Sequence, residues 1–433
     1  MEATLASSSP PTPRVEPGPA PLSYWPIYAV VCAATSIVIG VEWDISWHKT
    51  IGRDTFWTPA HMAIYLGGIV AGLSCGWVVL RTTFAGTAAQ KAACVRFWGF
   101  HGPLGAWSCI WGAIAMITSA PFDDWWHNAY GLDVEILSPP HTVLALGIGA
   151  IVVGAVLMTL AAQNRSEAEV AVGAEEEASN GDTVGEHLPS HRSGTRVAVG
   201  AAAEGRARAL ARSRALFAYA AGLLVLVIAI MTTEFSFRIY MHSAIFYQVV
   251  CGVFPFCILS AGRASRLRWP ATTVVGVYTV IRLLMIWILP LFPAEPRLGP
   301  IFQDVTHMVP PDFPLLLAVP AVFLDLALQR FGTTRRRWLL AAALGGIFLV
   351  TFLVVQWPFA EFLLSPASRN RFFATDNFFY GLPPDAYTVR GEFYPSDRTP
   401  AALRNGLLIA LGLAAVSARA GLWWGDWMAR VRR

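Results

Sequence analysis

Long apolar runs separated by short polar stretches recur along most of the chain. A helical run of about 20 apolar residues crosses the roughly 30 Å hydrocarbon core of a bilayer. Backbone groups in lipid must be hydrogen-bonded internally, and the sequence lacks the alternation of a β-barrel, so the runs predict helices. We expect an all-α, multi-pass transmembrane helical bundle of about ten spans: 24–46, 58–81, 95–119, 139–161, 214–232, 242–261, 270–292, 313–328, 337–357 and 402–418.

Composition indicates a membrane protein without disulfides or a cysteine-bound zinc cluster. Of the 433 residues, 55% are hydrophobic and 14% are charged, which lies outside the range of soluble globular domains. The six cysteines fall almost wholly inside apolar runs without paired spacing. We therefore expect small core residues rather than disulfides or a thiolate zinc cluster. Membrane lipid is the expected environment, and no nucleic-acid partner is expected.

Basic residues cluster in loops on one side of the predicted topology, between spans two and three, after spans four, six and eight, and at the C-terminus. The positive-inside rule then places both termini in the cytoplasm of a bacterial-type cytoplasmic membrane. Polar stretches after spans one and three are expected near the outer face.

Four segments follow from this pattern. Residues 1–23 are rich in Pro and Ser, lack the apolar core of a signal peptide and are predicted to be a disordered tail. Residues 24–162 form a four-span domain, 163–213 a flexible cytoplasmic linker, and 214–433 a six-span domain with an outward loop at 358–401.

One polar motif occurs twice. Seven residues keep their identity and order between Trp43–His61 and Phe122–His141, with one extra residue before the Ser/Thr-Pro of the second copy. Each copy ends an odd-numbered span and opens the next, so both are expected on the same face of the membrane. The shared residues are Asp44, Trp47, His48, Gly52, Asp54, Pro59 and His61, matched by Asp123, Trp126, His127, Gly131, Asp133, Pro139 and His141.

The spacing within each motif predicts a metal site. An Asp and a His four residues apart lie about one turn apart on the same side of a helix. Pro two residues before the second His suits the first turn of the returning helix, so that His projects toward the pair. A carboxylate and two imidazoles suit iron, copper or zinc, and the ligand set alone does not choose among them. The alternative interpretation is an interfacial belt of Trp and His with Asp capping helix ends.

The first motif closely resembles that of a copper-binding transmembrane subunit of the copper membrane monooxygenases, the particulate methane and ammonia monooxygenase family. The residues that carry the likeness are Asp44, Trp47, His48, Thr50, Arg53, Asp54, Thr55, Thr58, Pro59 and His61. In the second motif Asp123, Trp125, His127 and His141 match the family's spacing, with Asp123 where the family has Asn. The resemblance spans roughly residues 40–145. It implies one copper site at Asp44, His48 and His61 and a second, catalytic one at Asp123, His127 and His141.

The resemblance implies a copper-dependent membrane monooxygenase, or its metal-bearing subunit, that inserts oxygen from O2 into methane, a short alkane or ammonia. The extra carboxylate of Asp123 leaves iron and zinc open. Arg53, Asp54 and Asp133 are expected to orient imidazole N–H groups or relay protons. Electrons would come from a quinol or another donor, and the expected protein partners are other monooxygenase subunits or further copies of the chain.

Two other functions stay open on the sequence. A copper or other transition-metal permease, or a copper-handling protein, should carry further ligands along its spans, and the sequence shows only His101 and scattered methionines. A structural subunit with degenerate sites is the third. Within the spans, we expect Arg282 to pair with Asp325 and His101 of span three to be a packing residue.

Overall fold

The computed structural model describes residues 24–52, 55–130, 138–182, 192–236, 240–297, 305–373, 375, 397 and 399–431. The chain there is an all-α bundle, as predicted. Its helices are α1 Trp25–Thr50, α2 Pro59–Ala85, α3 Ala88–Ala92, α4 Leu104–Tyr130, α5 Pro139–Asp182, α6 Arg192–Met231, α7 Thr233–Ser236, α8 Ala244–Ala264, α9 Pro270–Ile288, α10 Ala318–Phe331, α11 Arg337–Leu364 and α12 Pro400–Met428. Short 3-10 turns lie at Leu289–Leu291, Pro366–Ser368 and Arg371–Phe373. Within the described ranges, nine helices are long and apolar enough to cross a membrane.

The predicted eighth span differs from a simple helix. Helix α10 has 14 residues, about 21 Å at 1.5 Å per residue, and residues 308–317 before it are not helical. This segment contains three prolines, Pro310, Pro311 and Pro314, which cannot donate to a helical ladder. The extended chain runs back along α9 in the opposite direction. Met308 N donates at 3.0 Å to the carbonyl oxygen of Phe292, just after the 3-10 turn that follows α9, and Leu315 N donates at 3.0 Å to the hydroxyl of Tyr278 in α9. Such bonds satisfy a buried non-helical backbone.

The predicted third span and linker also differ. Residues Val95–Phe97 (β1) and Phe100–Gly102 (β2) form an antiparallel hairpin, with positive φ at Trp98 and Gly99 in its turn, and α4 begins only at Leu104. His101 therefore lies in β2 and not in a span. The flexible linker predicted at 163–213 is helical at 163–182 and 192–213. The tail predicted at 1–23 lies outside the described residues, as do positions 376–396 of the predicted outward loop.

Glycine contacts hold α4 tightly against α5. A Cβ at Gly112 would lie 2.6 Å from the Gly147 carbonyl oxygen, and one at Gly105 would lie 2.6 Å from the Gly154 carbonyl oxygen. Small residues at such points let helix backbones approach closely in membranes. The close packing fixes the hairpin whose connected end, where α4 stops and α5 begins, carries the second motif.

The end of α1 joins the two halves of the molecule. Arg282 of α9 contacts the buried carboxylate of Glu42 and donates from Nε to the Asp312 carbonyl oxygen at 3.0 Å. The Ser46 hydroxyl donates to Val309 O at 2.5 Å. The predicted Arg282–Asp325 pair is wrong, because Asp325 instead accepts bonds from the N-terminus of α9, at 3.0 Å from Ala271 N and 2.8 Å from Thr272 N.

Candidate metal centre

The first triad forms where α1 ends and α2 begins. Asp44 and His48 lie one turn apart on α1, with Asp44 Oδ2 3.8 Å from His48 Nε2. Pro59 opens α2 and His61 follows two residues later, which brings His61 Nε2 to 3.1 Å from Asp44 Oδ1. The structure thus brings together the three residues that the motif predicts as one site.

A backbone contact sets the orientation of the His61 ring. Its Nδ1 lies 3.0 Å from the Thr55 carbonyl oxygen, and because a carbonyl only accepts, Nδ1 carries the proton. This contact leaves Nε2 facing Asp44 Oδ1, and that oxygen is buried. A histidine whose ring is oriented by a carbonyl through its other nitrogen is the arrangement found at metal sites.

The second triad has the same construction on α4 and α5. Asp123 Oδ2 lies 3.4 Å from His127 Nε2, and Asp123 Oδ1 lies 3.5 Å from His141 Nε2. One donor atom from each residue lies within 4.8 Å of the other two. In the described ranges, no other group of three His, Cys, Asp or Glu residues meets that condition. Asp123 Oδ1 is also buried without a hydrogen bond from the described chain. The donor set fits a transition-metal ion.

The two triads differ in how tightly they converge. In the first, the His48 side chain is 46% exposed, against 22% for Asp44 and 19% for His61. In the second, the exposed fractions are 36% for Asp123, 23% for His127 and 32% for His141. His48 is thus turned toward the surface in this conformation, whereas the second triad is already gathered.

Aromatic side chains lie near both triads. Phe122 stacks on Trp125 with ring centroids 6.0 Å apart, and Trp126 contacts Tyr130 at 4.5 Å. At the first triad, the Tyr65 ring lies 6.0 Å from the His61 ring, and Phe56 contacts Tyr65 at 5.0 Å. Trp47 packs on the apolar cluster of Ile51, Met285, Leu289 and Met308.

Three residues of the predicted site lie outside the described residues. Arg53 and Asp54 fall in the gap between residues 52 and 55, and Asp133 falls in the gap between 130 and 138. Their roles in orienting imidazoles or relaying protons stay predictions.

Sequence reasoning missed the residues that anchor the first triad. Glu42 is completely buried and pairs with Arg282, while Lys49 Nζ lies 3.8 Å from Asp312 Oδ2. The sequence could have indicated this pair, because Glu42 and Arg282 each lie inside an apolar run and charges at membrane depth are rarely left unpaired.

A further histidine lies apart from both triads. His242, in the turn before α8, is buried with Nε2 3.2 Å from Glu361 Oε1. Burial lowers the pKa of His242, against smaller raising effects of the Glu361 carboxylate and a backbone hydrogen bond at Trp357. This buried histidine thus lies beside an acidic side chain.

Comparison of the chain with protein-family models, with curated proteins and with solved structures finds no match.

Proposed function

We propose that this protein is a copper-dependent membrane monooxygenase, or the metal-bearing subunit of one, that hydroxylates a small apolar substrate such as methane, a short alkane or ammonia. The observation that carries the proposal is the convergence of the donor atoms of Asp123, His127 and His141 within 4.8 Å of one another. Two imidazoles and one carboxylate leave coordination positions for other ligands on a copper, iron or zinc ion.

The chain's own residues have separate tasks in this proposal. Asp123, His127 and His141 hold the catalytic ion, and Asp44, His48 and His61 hold a second one. Bound copper would supply a redox centre able to react with O2. Trp125, Trp126 and Tyr130 form an aromatic cluster on the helix that carries Asp123 and His127, which suits a substrate without charge.

Orientation, partners and electron supply complete the proposal. We place the protein in a bacterial-type cytoplasmic membrane with both termini in the cytoplasm and both triads near the outer face. An external donor such as a quinol provides the electrons. Other monooxygenase subunits or a second copy of the chain are the proposed protein partners.

A turnover experiment tests this function. Membranes containing the copper-loaded protein are incubated with a quinol and short alkanes or ammonia, and O2-dependent product is measured with ¹⁸O2. We expect labelled product from the wild type and from His101→Ala, a histidine outside both triads, and none from His127→Ala. Absence of ¹⁸O-labelled product from copper-loaded wild type with every donor and substrate would exclude the oxygenase.

A copper-handling membrane protein is the second candidate, and a specific observation favours it. One of the methionines that are scattered in the sequence meets a cysteine inside the first four long helices, where Cys75 Sγ lies 4.0 Å from Met158 Sδ. Copper uptake into proteoliposomes without oxygenase activity would favour this candidate over the first.

A further inference from the structure

Three sulfur side chains from three helices meet in the core of the N-terminal half. Cys75 of α2, Cys109 of α4 and Met158 of α5 are all buried. Cys75 Sγ lies 4.0 Å from Met158 Sδ, and Cys109 Sγ lies against Gly154, one turn before Met158 on α5, where an added Cβ would be 2.4 Å away. Their separation in sequence gave no sign of this cluster.

The spacing of the sulfur atoms suits one shared ion. Two sulfur ligands, each about 2.3 Å from a metal and 120° apart, are about 4.0 Å from each other. Cys75 Sγ and Met158 Sδ have that separation. A thiol, a second thiol and a thioether are soft ligands, and such sets favour Cu(I) over the ions that hard oxygen ligands hold.

The position of the Cys109 thiol depends on a glycine of α5. A Cβ on Gly154 would lie 2.4 Å from Cys109 Sγ, so a larger residue on α5 would push that thiol away. The Cys109 thiol donates to the Ile151 carbonyl oxygen at 3.7 Å, which turns it toward α5. Glycine at this position therefore keeps Cys109 within the cluster.

Charge balance also favours a monovalent ion. Binding of Cu(I) releases one thiol proton to solvent, and one Cu–S bond to the resulting thiolate replaces the S–H bond. The copper stays Cu(I), so no electron donor or acceptor is needed. The thiolate and Cu⁺ cancel, which avoids leaving a net charge in the apolar core.

A methionine lies between this cluster and the second triad. Cys109, Met116 and Asp123 are spaced by seven residues on α4, which places them on the same side of the helix about 10 Å apart. Met116 is buried, and its Sδ would lie 3.5 Å from a Cβ on Gly68 of α2. A thioether thus lies between Asp123 and Cys109 on the same side of α4.

We propose that Cys75, Cys109 and Met158 form a buried Cu(I) site that is loaded from the Asp123 end of α4 by way of Met116. The site is distinct from both Asp/His triads in its ligands and depth. It does not depend on oxygenase activity, since it would serve either an enzyme that stores its cofactor or a protein that carries copper inward.

Anaerobic copper titration of the purified full chain tests the site. Cu(I) is added in competition with a chromophoric Cu(I) chelator, and bound copper is examined by X-ray absorption. We expect one ion with sulfur neighbours at about 2.3 Å. Cys75→Ser and Cys109→Ser should each remove one sulfur neighbour and weaken that ion's affinity by about tenfold or more. Cys251→Ser, a change at a buried cysteine of α8, should change neither.

Two further variants keep the test decisive. Met158→Leu conserves volume and is tolerated in cores, so it should fold and still lose the third sulfur neighbour. Met116→Leu should slow Cu(I) loading without changing the affinity at equilibrium.

Nitrogen or oxygen neighbours alone around Cu(I) in the wild type, or sulfur signals unchanged in both cysteine variants, would overturn the site. An unchanged loading rate in Met116→Leu would overturn the route. The triads can fail as metal sites without altering the sulfur signal, so the two proposals are tested separately.

Discussion

The guanidinium of Arg282 contacts the buried carboxylate of Glu42, and this ion pair links the helix that carries Asp44 and His48 to the C-terminal half. Arg282 also binds the Asp312 carbonyl oxygen, and Asp312 faces Lys49 at 3.8 Å. The ion pair joins two residues that are 240 positions apart in the sequence. The position of the helix that carries Asp44 and His48 therefore depends on the C-terminal half as well as on the first four spans.

Removal of Arg282 should destabilise the protein and disturb the first triad. Arg282→Met leaves Glu42 buried without its partner, at a cost of about 3–5 kcal/mol. We expect a lower thermal unfolding midpoint in detergent and reduced metal binding at the first triad, with the second unchanged. Much of the lost stability should return in the Glu42→Gln, Arg282→Met double variant, since no unpaired charge remains. Additive losses in the double variant would show that the pair is not coupled.

The α4–α5 contact should control the second triad. Gly112→Ala places a methyl group 2.6 Å from the Gly147 carbonyl oxygen, which must separate the helices, so the triad at their connected end should bind metal more weakly. Gly149→Ala on α5 is the matched control, because a Cβ there meets nothing within 4 Å. Metal content and unfolding temperature are measured for both. Equal metal content in the two variants would contradict the link between helix spacing and the site.

Stability should fall in acid because of His242. Its pKa is lowered by burial, so the unfolded chain binds a proton more readily than the folded one. The resulting stability is present above the unfolded value of about 6.5 and is lost as pH falls through the lower folded value. We therefore expect the unfolding midpoint of the wild type to drop from pH 7 to pH 5 more than that of His242→Gln. His101→Gln should follow the wild type, and parallel curves for wild type and His242→Gln would refute this assignment.

Chelator treatment should distinguish the two triads. The His48 side chain is 46% exposed and 3.8 Å from Asp44, whereas the donor atoms of the second triad are already gathered. Metal should leave the first triad sooner, because its ligands must first be brought together. The variant His127→Ala, which keeps only the first triad, should lose its ion to a chelator faster than His48→Ala. Equal rates would mean that the difference in ligand arrangement has no effect on retention.

Much of the fold could be predicted because span length and apolar character determine where helices cross a membrane. The all-α bundle is confirmed. Helix α10 was misjudged because Pro310, Pro311 and Pro314 scarcely lower the mean hydropathy of an apolar run. The hairpin at 95–102 falls inside a predicted span because its residues are partly apolar. Its turn depends on the backbone conformation at Trp98 and Gly99, which hydropathy does not indicate.

The triads were predictable in a way that the other polar contacts were not. Each lies in one helical hairpin, so sequence spacing specifies which side chains can meet. Glu42 and Arg282, and likewise Cys75 and Met158, come from helices whose packing depends on the whole bundle. No local spacing indicates which side chain of one such helix faces which side chain of the other, so these partners became visible only in three dimensions.

Binding of a transition metal by the Asp/His triads is tested most directly by metal analysis with electron paramagnetic resonance. Purified, copper-loaded and oxidised wild type is compared with His48→Ala, His127→Ala and the control His101→Ala. We expect a Cu(II) signal with nitrogen hyperfine structure in the wild type and the control. Each triad variant should lose one equivalent of metal and part of that signal. A variant with both His48→Ala and His127→Ala should lose both equivalents and the whole signal. Unchanged metal content in His48→Ala and His127→Ala would show that the triads are not metal sites.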